Sequence, residues 1–419
     1  MLTVYSRDVT ATEAAGSRNS LRREAGRREF MAQVTVFMAL IAIAIDLVLP
    51  AFPEVRQAFS MPSDSTRVTW VITVFFLGIS VGPWLFGPAS DRFGRRPMLF
   101  ASLGLYILGG LLSALASSWP LLIAARFVWG IGAAGPRTLT NAMVRDRFEG
   151  DVMARLMSFI MAVFLIVPII APAIGAGLIE IFPWRSVFVA PVVIAILMAV
   201  WALRLPETLP IERRRPFTWR AVGEASREVF RNRTTLSFMF ANMFTYAILT
   251  AYLGASEVIM EDVYERGDLF PVFFGVLGVF FALNSLNNAR RVKNVGLYHH
   301  LRRSVHFGSV SAIAFVLVSF TNGGKPNFWI FSFALALLIP VAQGLGPLAN
   351  TAAMTPLPHI AGTASSVITT ITTAGGALLG GVANSTFDGT VRSFAAWSTG
   401  FFALATLLIL RAAREVSPT

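Results

Sequence analysis

A few charged residues stand inside long apolar runs, and these are the places where chemistry could occur. Asp46 lies in "ALIAIAIDLVLPAFP". An ionised carboxylate at the centre of a bilayer costs about 2.5 to 3.5 kcal/mol. A carboxyl so placed can take up a proton from one side and release it to the other, which makes Asp46 the first candidate for proton coupling. The competing reading is a solvated aspartate near the outer mouth, capping a helix that "LPAFP" brings to an end. Arg126 sits in "LLIAARFVWGIG". A cation near Asp46 would stabilise its ionised form and make protons and substrate cations compete for it. Against that, a long side chain near a helix end can snorkel to the headgroups. Arg137 lies eleven residues further on, near the same helical face. It could line a cavity, favour an anionic or zwitterionic substrate, or pair with Asp46 in place of Arg126.

A cavity for a small molecule is mostly apolar with a few polar handles. Phe238, Asn242 and Tyr246 repeat at four-residue spacing and so share a helix face. Trp129, Asn141, Asn284, Gln343 and Asn350 are further aromatic or polar groups in apolar surroundings. Each serves equally well as a hydrogen bond between helices. Catalytic alternatives are poorly supplied. Cys is absent, and the four histidines, His299, His300, His306 and His359, have no metal-site spacing and read as solvated loop positions. No Ser/His or metal-ligand constellation falls in the apolar runs, which argues against an enzyme. No Gly-x4-Gly-Lys-Ser/Thr loop is present, which argues against ATP-driven transport.

The elements that hold these residues follow from composition. Of the 419 residues, 55% are hydrophobic and 14% charged, and the mean hydropathy is +0.65. A soluble chain would carry about a quarter charged residues, so this is an all-α polytopic membrane protein. Twelve apolar runs are centred near Ala42, Leu77, Tyr106, Gly130, Leu165, Ala195, Tyr246, Val279, Ala314, Leu337, Thr372 and Ala405. The fifth is expected to begin near Met157 and the eleventh near Gly362. Arg clusters precede the first run and follow the second, fourth, sixth, eighth and twelfth, whereas the connection after the seventh is acidic. That alternation puts both termini in the cytoplasm. The net charge of +12 is therefore no sign of a nucleic-acid partner. The expected organisation is a disordered tail (1–29), a six-helix half (30–205), a cytoplasmic linker (206–233), a second half (234–411) and a tail (412–419).

Between the second and third runs stands "FGPASDRFGRRPM", with Gly87, Asp91, Arg92, Gly94, Arg95 and Arg96. Positive-inside anchoring explains the arginines but not their order. Asp91 can pair with an arginine or cap a helix N-terminus, holding one helix against another in one conformation and releasing it in a second. This order at this place resembles the major facilitator superfamily. "ARRVKNVG" after the eighth run is similar to a decayed copy in which Lys293 takes the aspartate's place and Gly296 remains.

"IDLVLPAFPEV", "RFVWGIGAAGPRTLTNAMVRD" and "PIIAPAIGAGL" resemble the bicyclomycin/chloramphenicol-resistance type of drug:proton antiporter in that superfamily. The resemblance runs from Phe30 to about Arg411. It implies two pseudo-symmetric six-helix halves and export of small lipophilic drugs or metabolites by alternating access. It also implies proton coupling at Asp46 and Arg126, and an antiporter motif of Pro168, Pro172, Gly175 and Gly177 that seals against proton leak. Some relatives carry a second acidic residue two turns before Asp46, where this chain has Met38. The partners expected are a small molecule, protons and the lipid bilayer, with no cofactor. The chain is expected to act as a monomer in a bacterial-type inner membrane. Two alternatives keep the fold: a carrier for an anionic or zwitterionic metabolite, and a membrane sensor that does not transport.

Overall fold

The computed structural model describes residues 26, 28–62, 65–214 and 219–416. Most of the expected N-terminal tail lies outside the described residues. In hydrocarbon each backbone N–H and C=O needs a partner inside the protein, and a helix supplies these within one segment. The first half holds α1 (Arg28–Ala58), α2 (Trp70–Phe93), α3 (Arg95–Ala114), α4 (Trp119–Arg147), α5 (Gly150–Ile181) and α6 (Ser186–Ala202). A linker helix, Trp219–Arg231, follows. The second half holds α7 (Arg233–Val258), α8 (Phe270–Val295), α9 (Leu297–Ser319), α10 (Phe328–Met354), α11 (Ala361–Ser385) and α12 (Arg392–Val416). Among the described residues there is no strand.

Ten of the twelve are both long and apolar enough to cross a membrane. Of the other two, α4 has 29 residues with Arg126 and Arg137 inside it, and α6 is apolar but has only 17. α5 starts at Gly150, ahead of the expected Met157, because the polar stretch after α4 winds directly into it. α12 continues as helix past residue 411.

α2 and α3 pack on α4 in the first half, and α10, α11 and α12 pack on α7 in the second. The halves meet where α1 faces α7, α2 faces α11 and α5 faces α8. Along the α2–α11 seam the Thr370 hydroxyl donates to the Ser80 carbonyl at 2.8 Å. The repeat is visible in the backbone: Gly94 (φ 103°, ψ 157°) precedes α3 and Gly296 (φ 83°, ψ 159°) precedes α9. Only glycine takes that turn without strain.

Two expectations need correction. "LPAFP" does not end the first helix at a solvated mouth. Pro50 and Pro53 bring no N–H, so α1 breaks after Asp46, passes through the 3-10 turn Leu49–Ala51, and resumes as Phe52–Ala58. His300 is not in a solvated loop. It lies on α9, as do the exposed His299 and His306, and is 4% exposed, with Nε2 at 2.8 Å from Asn288 Oδ1 of α8. Gly296 starts α9 early enough to carry the histidine into the packed face.

Candidate functional site

The break in α1 positions the principal candidate. Asp46 is the last residue before the break and is 3% exposed. Among the described residues its carboxyl makes no hydrogen bond or ion pair. Across the seam it acts electrostatically on the neutral Tyr252 hydroxyl of α7, which is buried and has no hydrogen-bond partner among the described residues.

Arg126 does not snorkel. It is fully buried and points into the first half. Its Nη1 donates to the Ala44 carbonyl of α1 and its Nε to the Val71 carbonyl of α2, both at 3.1 Å. The guanidinium lies 4.3 Å from the Phe75 ring centre and 5.0 Å from that of Trp129. Arg126 is thus held two residues from Asp46 without pairing to it, and Nη2 has no partner. Arg137 has an exposed side chain that acts electrostatically on the Tyr246 hydroxyl of the other half.

Of the α5 motif, Pro172 and Gly175 face inward, Pro168 is half-buried, and Gly177 faces open space. Gly175 is where α5 touches the α1 break. A methyl group there would lie 2.5 Å from the Leu47 carbonyl oxygen and 2.9 Å from Pro50. Gly175→Val should therefore push α5 off the break, at about 1–3 kcal/mol. Vesicles bearing that variant should collapse an imposed pH gradient faster than wild type if this contact seals the seam.

The charges between α2 and α3 form one network within the first half. The Arg95 guanidinium pairs with Asp91 at 2.6 Å and with Asp146 of α4 at 3.0 Å, and donates to Ser90 Oγ. Arg96 donates to the Leu203 carbonyl after α6 at 2.9 Å. Arg92 stacks over Phe93, and Gly87 faces Ser366 of α11. Glu207 completes the network by accepting the backbone N–H of Arg95, Arg96, Thr208 and Leu209 at 2.9 to 3.1 Å. The first two are N–H groups that the start of α3 leaves without a helical partner.

Burial pushes the Glu207 carboxyl up, but the four N–H donors outweigh it and hold it below its ordinary 4.5. A carboxyl held low stabilises the fold above its ordinary value and loses that contribution as pH falls through the lowered one. Hydrogen exchange at the Arg95 and Arg96 amides, corrected for the intrinsic rate, should stay slow at neutral pH and quicken in acid. In Glu207→Gln it should be quick throughout.

The remaining candidates divide by surroundings. Trp129 and Phe238 are fully buried, Trp129 among Phe75, Tyr106 and Phe188, and Phe238 against Tyr298. Asn284 donates to the Pro340 carbonyl at 2.7 Å, tying α8 to α10, and Gln343 donates to the Thr245 carbonyl at 3.4 Å, tying α10 to α7. Asn242 accepts from Thr245 Oγ1 within α7. Asn141, Tyr246 and Asn350 are half-buried, and Asn141 Oδ1 is unpartnered. The Tyr246 hydroxyl hydrogen-bonds the Thr373 side chain of α11, so with Arg137 it is Asn141 and Asn350 whose polar atoms are not already spent on packing. Among the described residues no cluster of three His, Asp or Glu could hold a metal ion.

Sequence reasoning missed Tyr252, Glu207, Asp146 and, at the end of the bundle opposite the α2–α3 connection, the pairing of Arg56 with Asp262 and Glu257. An arginine just after the apolar first run, on the side poorer in positive charge and sharing that side with an acidic connection, was the available signal.

The sequence profile of the Major Facilitator Superfamily matches residues 34–380. The chain belongs to this superfamily. It is 28% identical over 353 residues to the bicyclomycin resistance protein homolog of Haemophilus influenzae, covering 84% of this chain and 87% of the relative. It is 24% identical over 334 residues to the multidrug resistance protein MdtL of Vibrio parahaemolyticus, covering 78% and 82%. The crystal structure of a D-xylose-proton symporter superposes with a TM-score of 0.74 at 15% identity, covering 91% of this chain and 96% of that one. That likeness concerns the fold alone. As a major facilitator protein the chain is a membrane transporter and not an enzyme.

Proposed function

We propose that the chain is a proton-coupled exporter of small, largely apolar compounds, working by alternating access as a monomer and without a cofactor. The basic α2–α3 end and both termini face the cytoplasm of a bacterial-type inner membrane, in keeping with the positive-inside rule. The observation that carries the reading is Asp46, an unpaired buried carboxylate at the break of a discontinuous helix, where transporters gather coupling ions. The names of the two relatives, resistance to bicyclomycin and to multiple drugs, support the substrate class. One proton moved through 100 mV supplies about 2.3 kcal/mol, enough for a roughly fifty-fold gradient.

Arg137 favours a second reading. Its side chain is exposed in the seam facing Tyr246 and could hold the carboxylate of an anionic or zwitterionic metabolite. Energised inverted vesicles offered lipophilic cations, neutral antibiotics and organic anions distinguish the two. Accumulation of the apolar compounds, abolished by a protonophore, is the expected result. Transport of the anions alone would replace the first reading with the second.

A further inference from the structure

At the end of the bundle opposite the α2–α3 connection, the outer end on the reading above, five charged residues meet where α1 crosses α7. Arg56, in the resumed segment of α1, is 3% exposed. Its Nη1 lies 2.9 Å from Asp262 Oδ2, and its Nη2 lies 3.6 Å from Glu257 Oε2. Glu257 is next to last in α7 and is also 3% exposed. Asp262 stands in the π-helical turn Ile259–Val263 that follows. The charged groups acting on Glu257 are Arg56 and Glu54 from α1, and Asp262 and Glu261 from its own segment. Glu265, further out, pairs with Lys325 at 3.5 Å in solvent, and Arg67 is exposed.

The charge balance is uneven. Among the described residues one guanidinium faces four carboxyls, so with all four ionised these five groups carry 1 − 4 = −3. Asp262 holds the short contact with Arg56. Glu257 is left at 3.6 Å, beyond hydrogen-bond length, and its Oε2 is buried with no hydrogen-bond donor among the described residues. A buried carboxylate without donors is costly, whereas its neutral form is tolerated far better. When α1 and α7 separate, water reaches the same group and hydrates the anion.

We propose that Glu257 is a second proton-binding site, filled when the outer ends of α1 and α7 close over it and emptied when they part. Closure of the outer end then takes up a proton, and acid favours the closed form. This rests on the exporter reading only for which end is the outer one: the proton is drawn from and returned to the outer side, so Glu257 is a carboxylate that biases closure and carries no proton across the membrane. Such a carboxylate lies in the other half and loads at the step where an exporter, its cargo released outside, must close outward.

The chain has no cysteine, so Gln57→Cys and Leu269→Cys introduce a unique pair of spin-label sites across this end, both at exposed positions. Distance distributions in nanodiscs from pH 5 to 9 read the closed fraction directly, without any transport assay. The closed-to-open ratio should rise as pH falls, by up to about tenfold per pH unit for one linked proton. Glu257→Gln should stay closed at every pH, and Glu257→Asp should keep the dependence. A ratio that does not respond to pH, one that responds equally in Glu257→Gln, or one in which acid opens the end would each overturn the proposal. The same measurement in Asp46→Asn, with coupled transport assayed beside it, separates the two readings. Loss of coupled transport with the pH response intact leaves Glu257 standing, and intact coupled transport with no pH response removes Glu257 alone.

Discussion

Asp46→Asn should leave a folded transporter that no longer concentrates its substrate. Asparagine nearly matches aspartate in size and places no charge in the bilayer, so the α1 break and its contacts with Arg126 and Gly175 should persist. What disappears is a group able to gain and lose a proton. The gradient sustained by a pH difference and membrane potential should fall from about fifty-fold to near unity. Downhill exchange of labelled for unlabelled substrate should continue, because alternating access is intact. Steady-state accumulation and counterflow in the same vesicles separate these two quantities.

Arg126→Met should be the next most damaging change. The guanidinium bridges the Ala44 and Val71 carbonyls while lying over Phe75 and Trp129. Methionine fills part of the volume but removes the charged donor from both carbonyls, at about 1.5–3 kcal/mol for each such hydrogen bond. It also frees the broken segment of α1 from α2, so that Asp46 is no longer held at one depth. Transport should fall about tenfold or more, since 1.4 kcal/mol is a factor of ten. Arg126→Lys tests the geometry. It keeps the charge, but a single ammonium lacks the planar fork that serves two carbonyls and two rings. Activity close to wild type in the lysine variant would show that only the charge matters.

The architecture was legible because the bilayer imposes a simple rule. Apolar runs must be helices, and alternating basic connections fix their direction. α4 shows why the residues mattered as well as the mean. Arg126 and Arg137 lower its hydropathy, yet the apolar run and the motif around it still mark a span. The candidate site was legible only in part. Asp46 and Arg126 stood out as charges in apolar sequence, but their relation did not. Sequence spacing could not say that Arg126 would grip a carbonyl of α1 instead of the nearby carboxylate. Similarly, Phe238, Asn242 and Tyr246 do share a spacing. Packing against α9 and within α7 nevertheless leaves Tyr246 the least buried of the three. Arg56 and Glu257 are 201 positions apart in the numbering, 257 − 56, and nothing local to either predicts the contact.

The most direct test of proton coupling is the proton itself. Purified protein in proteoliposomes containing a pH-sensitive dye would be given a substrate gradient and no imposed pH difference. Wild type should move protons against the direction of substrate flow, and Asp46→Asn should move substrate with no proton signal. A proton signal of equal size in the two proteins would contradict the account, because the coupling carboxyl would then lie elsewhere.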